Sequence, residues 1–505
     1  MGTLFLRSRL TQRLLSSLLP LTLLSLASEG LTQPSRAEIK TLKKQLEELQ
    51  RRESDTKQQL EELQQRLDRL QSAPAAPSQT PVDPLEQALQ HVPAPAQAAP
   101  PPATPASALA ARRLGGTQFR LIDISVDILA AAGGSSVGDA ALQGLQGGGH
   151  DPRKNGFTLQ NVELSLSGAV DPYFNGETHI AFFVDPLSGE TTVELEEAFL
   201  TTQGLPLGLQ AKAGFFFTEF GLLNPTHPHA WAWLDQSVIN ARLFGPDGMR
   251  QAGGRLGWLV PVPWFAQLYL GAQNAGGETM ASFLASAEFF AERGVAGRPF
   301  VERGVSNPED LLYNVRLEQF FNLTPALSAQ VGGSAVFGPN ASGPRGRTTI
   351  YGGDLKVRWR PTTHFRGWPF VLWQTEIMQR DYRADQAELP EVLDADDQPL
   401  LLPRRTLHDW GLYTQVLYGF HPGWAAGLRF DYARGSGPSV DGRPEDPFRD
   451  TRYRVSPLLA WQPSEFSRLR LQYNYDHAQH LSQREAHSVW LGLEILYGAH
   501  PAHKY

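Results

Sequence analysis

The residues best suited to metal chemistry lie together in one segment, 217–250. It contains His227-Pro228-His229, followed by Asp235. Neutral imidazole nitrogens suit Zn²⁺, Ni²⁺ or Cu²⁺, so His227, His229 and Asp235 are a candidate metal site. No further ligand stands at a recognisable spacing, and histidines that are hydrogen-bonded within a loop would give the same pattern.

A second set of chemically useful residues is charged and alternates with apolar residues. Lys356, Arg358 and Arg360, for example, alternate with Val357 and Trp359. This period of two places the charges on one face of a β-strand. Later segments contribute mainly basic residues in this way, namely Lys356, Arg358, Arg360, Arg380, Arg429, Arg454, Arg468 and Arg470. Early segments contribute mainly acidic residues, namely Asp123, Asp127, Glu163, Glu177, Asp185, Glu194 and Glu196.

Composition and motifs exclude several classes of protein. The chain has no cysteine, so it has no disulfide, no thiol nucleophile and no Cys-ligated metal. Its 45 basic and 52 acidic residues leave no positive excess for a nucleic acid. The nucleophile-elbow, zincin and phosphate-loop motifs do not occur. We therefore expect neither an enzyme nor a bound cofactor.

Period-two alternation recurs throughout 113–505, which predicts an all-β fold. Short links that contain Pro or Gly mostly alternate with long links. An even number of strands with long loops on one rim and tight turns on the other is typical of an outer-membrane β-barrel. A soluble β-sandwich is the alternative, but the many charges on the polar faces favour a wet lumen. The sixteen predicted strands lie near 118–129, 157–169, 176–185, 191–202, 208–216, 251–259, 264–274, 312–321, 326–337, 349–359, 368–380, 406–419, 424–435, 451–462, 467–477 and 485–497.

Segment 217–250 is one of the long links, and it is unusually apolar and aromatic for a loop. We therefore expect it to fold into the barrel and narrow it. The basic strand residues would then attract anions, unless they pair with acidic residues across the wall and only fill the lumen. The predicted constriction and pore lining comprise His227, His229, Trp231, Asp235, Asn240, Arg242, Arg250, Lys356, Arg358, Arg360, Arg429, Arg454, Arg468 and Arg470.

The region before the barrel divides into three parts. Residues 1–28 have a basic start and a short apolar run, as in an export signal. Residues 36–71 carry leucines at alternating spacings of three and four, which predicts a coiled coil and therefore more than one chain. Residues 72–112 are rich in Pro and Ala and predict a linker without a core. The coil would lie in the periplasm, on the short-turn side.

This order of signal, coil, linker and barrel resembles the phosphate-selective porin O/P group and its relatives with periplasmic coiled coils. The resemblance implies a trimeric channel for small anions or dicarboxylates. No motif aligns residue by residue, so no anion-binding residue is carried over.

A more local resemblance covers about 170–280. It rests on the run from Phe220 to His229, on Asp235-Gln236, on Phe244-Gly245 and on the tail Gly498 to Tyr505. These residues resemble proteobacterial proteins often labelled zinc-regulated TonB-dependent outer-membrane receptors. The resemblance implies a link to zinc. Sixteen strands are fewer than the roughly 22 of a TonB-dependent transporter.

The sequence thus predicts a trimeric outer-membrane porin for passive diffusion of small anionic or polar solutes, narrowed by 217–250. Its partners would be membrane lipid, two further copies of the chain and, through the coil, the cell wall. Two alternatives remain open: a zinc-linked receptor or uptake protein, and an envelope-spanning structural anchor.

Overall fold

The computed structural model describes residues 111–114, 117–120, 122–185, 188–393, 397–436 and 448–498. The predicted signal 1–28, the coiled coil 36–71, residues 72–110 of the linker and the tail after residue 498 lie outside the described residues.

Sixteen antiparallel strands close into a barrel, as the alternation predicts. Each strand pairs with its neighbours in the chain, and β20 closes the barrel on β3, where Leu496 pairs with Asp127. The barrel strands are β3 (Asp123–Ser135), β4 (Gly156–Ala169), β5 (Phe174–Val184), β6 (Thr191–Thr202), β7 (Leu209–Phe217), β8 (Arg250–Leu259), β9 (Phe265–Asn274), β10 (Leu311–Thr324), β11 (Leu327–Pro339), β12 (Arg347–Trp359), β13 (Phe370–Ala384), β16 (Arg405–His421), β17 (Trp424–Ser436), β18 (Arg452–Ser464), β19 (Ser467–Ala478) and β20 (Glu485–Gly498).

Two short hairpins accompany the barrel. β1 (Ala111–Leu114) pairs with β2 (Thr117–Arg120) before the first barrel strand, and β14 (Ala387–Leu393) pairs with β15 (Pro399–Leu402) in a long link. The first barrel strand was predicted at 118–129 but runs from Asp123 to Ser135. Its second half contains only alanine, glycine and serine, so it shows no hydrophobic alternation.

The strands present an apolar face outward and a polar face inward. On β19 and β20, Leu471, Leu491 and Ile495 are exposed, whereas Arg470 and Gln472 are buried. Aromatic residues near the strand ends are also exposed on the outer face, among them Trp258, Trp264, Trp410 and Trp461. No helix in the described ranges is both long and apolar enough to cross a bilayer.

Three long links carry short helices: α1 (Asp139–Leu145), α2 (Val238–Phe244) and α3 (Ala287–Arg293). Single 3₁₀ turns occur at Pro206–Gly208, Pro228–Ala230 and Pro308–Asp310. The second and third links meet the barrel wall in a hydrophobic cluster that occupies the long-loop half of the lumen. Its members include Phe220, Ile239, Leu243, Phe244, Met280, Phe283, Leu312, Val336, Ile350, Met378 and Tyr413.

Candidate functional site

Segment 217–250 folds into the lumen because both of its ends and its helix are held. Asn224 clamps the two ends: its amide donates to the carbonyls of Thr218 (2.8 Å) and Met249 (3.1 Å) and accepts from the Met249 N–H (2.8 Å). The Ser237 side chain caps α2 by accepting from the Asn240 N–H. Next to this cap, the Val238 N–H donates to Asp431 on β17 (3.0 Å), which attaches the helix to the wall.

Asp235 is the main polar anchor of the segment. Its carboxylate accepts from Arg429 (2.6 Å) and Arg454 (2.5 Å), and also from Gln472 (2.9 Å) and Asn474 (3.2 Å). Burial opposes ionisation of this group, but the two guanidinium groups lower the pKa of Asp235 to about 2. A charged Asp235 therefore fastens the segment to three wall strands.

Arg468 and Arg470 on β19 hold the backbone of the same segment. Arg468 donates to the His229 carbonyl (2.7 Å), and Arg470 donates to the Trp231 carbonyl (3.1 Å). Both guanidinium groups also pair with Glu494 on β20. All four arginines on β17 to β19 are thus buried in ion pairs, namely Arg429, Arg454, Arg468 and Arg470. The sequence left this arrangement open as the alternative in which inward charges pair with one another and only fill the lumen.

Lys356 on β12 lies three to five strands away from these arginines along the wall and lines an internal cavity. The cavity measures about 660 Å³ and lies in the short-turn half of the barrel. Arg358 and Arg360 follow Lys356 on the same strand face, towards the short-turn rim. Among the described residues, no carboxylate lies within 4 Å of the Lys356 or Arg358 nitrogens. The other charged or polar lining residues of the wall are Arg316, Glu318, Gln330, Gln374, Gln415 and Arg429, and the segment contributes Glu219, His227, His229, Trp231, Trp233 and Asp235.

The remaining residues predicted for the constriction hold loops and do not line the cavity. Arg242 binds the carbonyl (2.7 Å) and the carboxylate (3.3 Å) of Asp450 in another long link. Arg250, the first residue of β8, pairs with Glu194 on β6. Asn240 is fully buried and accepts from the Ser237 hydroxyl at 2.5 Å.

His227 and His229, the two histidines predicted to bind a metal, contact buried glutamates on β4 and β6. Glu163 on β4 has one carboxylate oxygen 3.0 Å from His229 Nδ1 and 3.4 Å from His227 Nδ1. Its other oxygen lies 2.9 Å from Nδ1 of His179 on β5. Burial opposes charging of the imidazoles, but the negative charge of Glu163 raises the pKa of His227 well above its usual value and also raises the pKa of His229.

Glu196 and Glu197 complete this cluster through an irregularity in β6. His227 Nδ1 lies 3.2 Å from Glu196 Oε2, and His227 Nε2 lies 2.9 Å from Glu197 Oε2. Strict alternation predicts that Glu196 faces inward and Glu197 outward. A β-bulge shifts the pairing between His179 and Ile180, so that both glutamates point into the lumen.

Asp235 does not join His227 and His229. Its carboxylate is held by Arg429 and Arg454, whereas the histidines contact Glu163. The proposed set of three metal ligands is therefore not assembled. Glu163, His179 and Glu197, which sequence reasoning did not assign to a metal, surround His227 instead.

Inward-facing glycines on the wall make room for the segment. A Cβ at Gly427 on β17 would lie 3.0 Å from the Trp233 ring, and a Cβ at Gly492 on β20 would lie 2.1 Å from Leu234 Cδ2. Glycine inside a strand often marks a close approach of another part of the chain. Segment 217–250 therefore passes close to the backbone of the wall at Gly427 and Gly492.

Gly427→Leu should therefore displace Trp233 and destabilise the barrel by about 1–3 kcal/mol, as overpacking does. Urea unfolding of the refolded barrel in detergent measures this loss. In a double variant with Trp233→Ala, the loss should be smaller than the sum of the two single losses, because the added leucine then fills the space that tryptophan leaves. Strict additivity would contradict this contact.

Comparison with known proteins places the chain in a family. No family model matches the sequence. An uncharacterized protein of Aquifex aeolicus is 30% identical over 378 residues, a match that covers 71% of this chain and 73% of that protein. The chain belongs to the same family as this Aquifex protein.

Several solved structures are similar to this chain. The outer-membrane channel DcaP of Acinetobacter baumannii has 11% identity and a TM-score of 0.47, over 74% of this chain and 97% of its own. OprB of Pseudomonas putida has 10% identity and a TM-score of 0.44, over 75% and 94%. The anion-selective porin of Comamonas acidovorans has 7% identity and a TM-score of 0.42, over 74% and 98%.

Proposed function

We propose that the protein is an outer-membrane channel for small polar solutes, with a preference for anions, and that segment 217–250 narrows it. The observation that carries this proposal is a closed barrel with an apolar outer face and a polar cavity in its lumen. An apolar outer face suits contact with lipid. A closed barrel also satisfies the hydrogen-bonding groups of every strand's backbone within the sheet, as a lipid environment requires. The polar cavity provides a place for a hydrated solute.

The narrowest part of the path that a solute would take through the lumen lies beside segment 217–250. In the long-loop half, the cluster around Ile239, Leu243 and Met280 is fully buried and leaves those side chains no access to water. A polar solute does not cross a packed apolar layer, because it would lose its hydration without gaining partners. Permeation therefore depends on how far the segment moves from the wall, and we expect a small conductance with frequent closures.

Anion preference would arise from Lys356, Arg358 and Arg360. Their charges line one side of the short-turn half, and a narrow lumen with low-dielectric walls strengthens the field of such charges. Glu219 and Glu318 line the same cavity, so cations are not fully excluded. The four arginines on β17 to β19 contribute less to the field, because their charges are compensated by buried carboxylates.

The reversal potential in a KCl gradient tests this proposal. The wild-type channel should favour chloride, and Lys356→Glu with Arg358→Glu should reverse the preference. Each charge contributes on the order of 1 kcal/mol at 4 Å in water, so the permeability ratio should change at least about fivefold. The matched control is Arg405→Glu with Arg434→Glu, because both arginines are exposed near the long-loop rim. A folded barrel that never conducts, or equal shifts in both double variants, would contradict the proposal.

We also propose that three chains assemble and that the predicted coil 36–71 joins them on the periplasmic side, where it would reach towards the cell wall. The leucine seam of the coil requires partner helices. The choice of the periplasmic side rests on the barrel alone, in which β3 begins and β20 ends on the short-turn rim.

A further inference from the structure

Glu163, His179, His227 and Glu196 form a cluster in which the donor atoms are close enough to share one ion. One ligand atom each from Glu163, His179 and His227 lies within 4.8 Å of the other two. Within this group, Glu163 oxygens lie 2.9 Å from His179 Nδ1 and 3.4 Å from His227 Nδ1. Glu196 Oε2 lies 3.2 Å from the same nitrogen of His227.

These spacings match the coordination shell of a small divalent ion. Zinc binds histidine nitrogen and carboxylate oxygen at about 2.0–2.2 Å in a tetrahedron, which places neighbouring donors roughly 3.3 Å apart. Small rotations of side chains would bring four donors around one centre, without movement of the backbone. We propose that Glu163, His179 and His227, with Glu196, bind a divalent transition-metal ion that fastens segment 217–250 to β4, β5 and β6.

The chemistry of the donors selects the class of ion. Mixed imidazole and carboxylate ligands suit Zn²⁺, Ni²⁺ and Cu²⁺, whereas Ca²⁺ and Mg²⁺ prefer sets that consist of oxygen alone. Three buried carboxylates, Glu163, Glu196 and Glu197, supply enough negative charge to compensate a divalent ion. Among the described residues, no Arg or Lys nitrogen lies within ion-pair distance of Glu163, and its contacts are with imidazole nitrogens.

The surroundings are those of a prepared site. The bulge in β6 turns Glu196 and Glu197 inward together, and bulges commonly re-aim side chains next to functional sites. His229 contacts Glu163 at 3.0 Å and can orient its carboxylate, as outer-shell partners of metal ligands do. Asp127 pairs with Glu163 across the strands and is 4% exposed, and its Oδ2 has no hydrogen-bond partner among the described residues.

A neighbouring group of His150, Glu194 and Asp247 also has its donor atoms close together. It is a weaker candidate for two reasons. Glu194 is already paired with Arg250, and His150 Nε2 lies 3.9 Å from Asp247. The proposal therefore concerns only the cluster of Glu163, His179, His227 and Glu196. It does not depend on which solute passes through the lumen.

The test uses the purified full-length protein in detergent, stripped with a chelator and then titrated with Zn²⁺ by calorimetry. We expect one ion per chain with micromolar or tighter affinity. His179→Gln, a change on the wall, should weaken binding at least 100-fold, and Glu163→Gln should do the same. The matched control is His480→Gln, because His480 also pairs with a carboxylate, that of Asp450 at 2.9 Å, but lies outside the cluster.

Co²⁺ provides a second readout that does not depend on affinity. Bound Co²⁺ should give the intense visible absorption of a tetrahedral site, and His179→Gln should remove it while the barrel remains heat-modifiable. Binding that survives His179→Gln but disappears with His500→Gln and His503→Gln would assign the ion to the tail and overturn the proposal. The absence of any stoichiometric binding to wild type would also overturn it and would leave the cluster as a network of hydrogen bonds between histidines and carboxylates.

Discussion

Asp235→Asn is expected to release segment 217–250 from the wall and to destabilise the folded barrel by about 3–5 kcal/mol, the usual cost of breaking a buried ion pair. Asp235 is 1% exposed and compensates the charges of Arg429 and Arg454, which are themselves buried. The amide cannot supply that charge. Urea unfolding in detergent measures the loss of stability, and single-channel recording should show a larger and noisier conductance.

Asp247→Asn is the matched control for this substitution. Asp247 lies in the same segment, but its side chain is 24% exposed, and the nearest ring nitrogen, that of His150, is 3.9 Å away. Its replacement should cost less than about 1 kcal/mol. Equal losses for the two variants would show that Asp235 has no special role as an anchor.

The effect of Asp235→Asn should also depend on pH in a defined direction. The pKa of Asp235 is lowered from 3.8 to about 2, so its charge contributes stability fully above pH 3.8 and loses this contribution as the pH falls through about 2. The difference in stability between wild type and variant should therefore be large at pH 5 and should shrink between pH 4 and pH 2.

Trp233→Ala should have an effect of similar size through packing. Trp233 is 1% exposed and packs against Phe370, Leu417 and Leu458 of the wall, and its indole N–H donates to the Ser456 carbonyl at 2.9 Å. Loss of a buried aromatic residue costs about 3–5 kcal/mol. We expect the unfolding midpoint in urea to fall accordingly and the current to fluctuate more.

Trp231→Ala is the matched control for Trp233→Ala. It separates the loss of packing against the wall from any general effect of removing a tryptophan. Trp231 lies two positions earlier in the same segment, is only partly buried and lines the cavity, and its N–H donates to Thr226 within the segment. We expect a smaller loss of stability and a wider cavity. A larger loss for Trp231→Ala than for Trp233→Ala would contradict the orientation of the segment.

The barrel could be predicted from sequence because an apolar outer face and a polar lumen impose alternation on every strand. All sixteen predicted strands are confirmed. The departures have local causes. The second half of β3 has only small side chains and therefore no visible alternation. The bulge in β6 sends Glu197 inward although its position in the alternation predicts the outer face.

The interior was harder to predict because its contacts join residues far apart in the chain. The entry of segment 217–250 into the lumen follows from its apolar and aromatic composition. That Asp235 would meet Arg454 and not His227 depends on which strands surround it, and no local spacing encodes this. Two signals were available: the consecutive glutamates at 196 and 197 break the alternation, and Gly427 and Gly492 stand on inward faces.

Current through a channel with a reversible cross-link would test the central claim most directly. Because the chain has no cysteine, Leu234→Cys with Gly492→Cys introduces one pair, and a Cβ at 492 would lie 3.1 Å from Leu234 Cγ, within reach of a disulfide. The cross-link should form in the folded barrel and hold the conductance at a low level, and a reductant should raise it. Failure to form the bond, or an unchanged current after reduction of a bond that had formed, would contradict a channel controlled by segment 217–250.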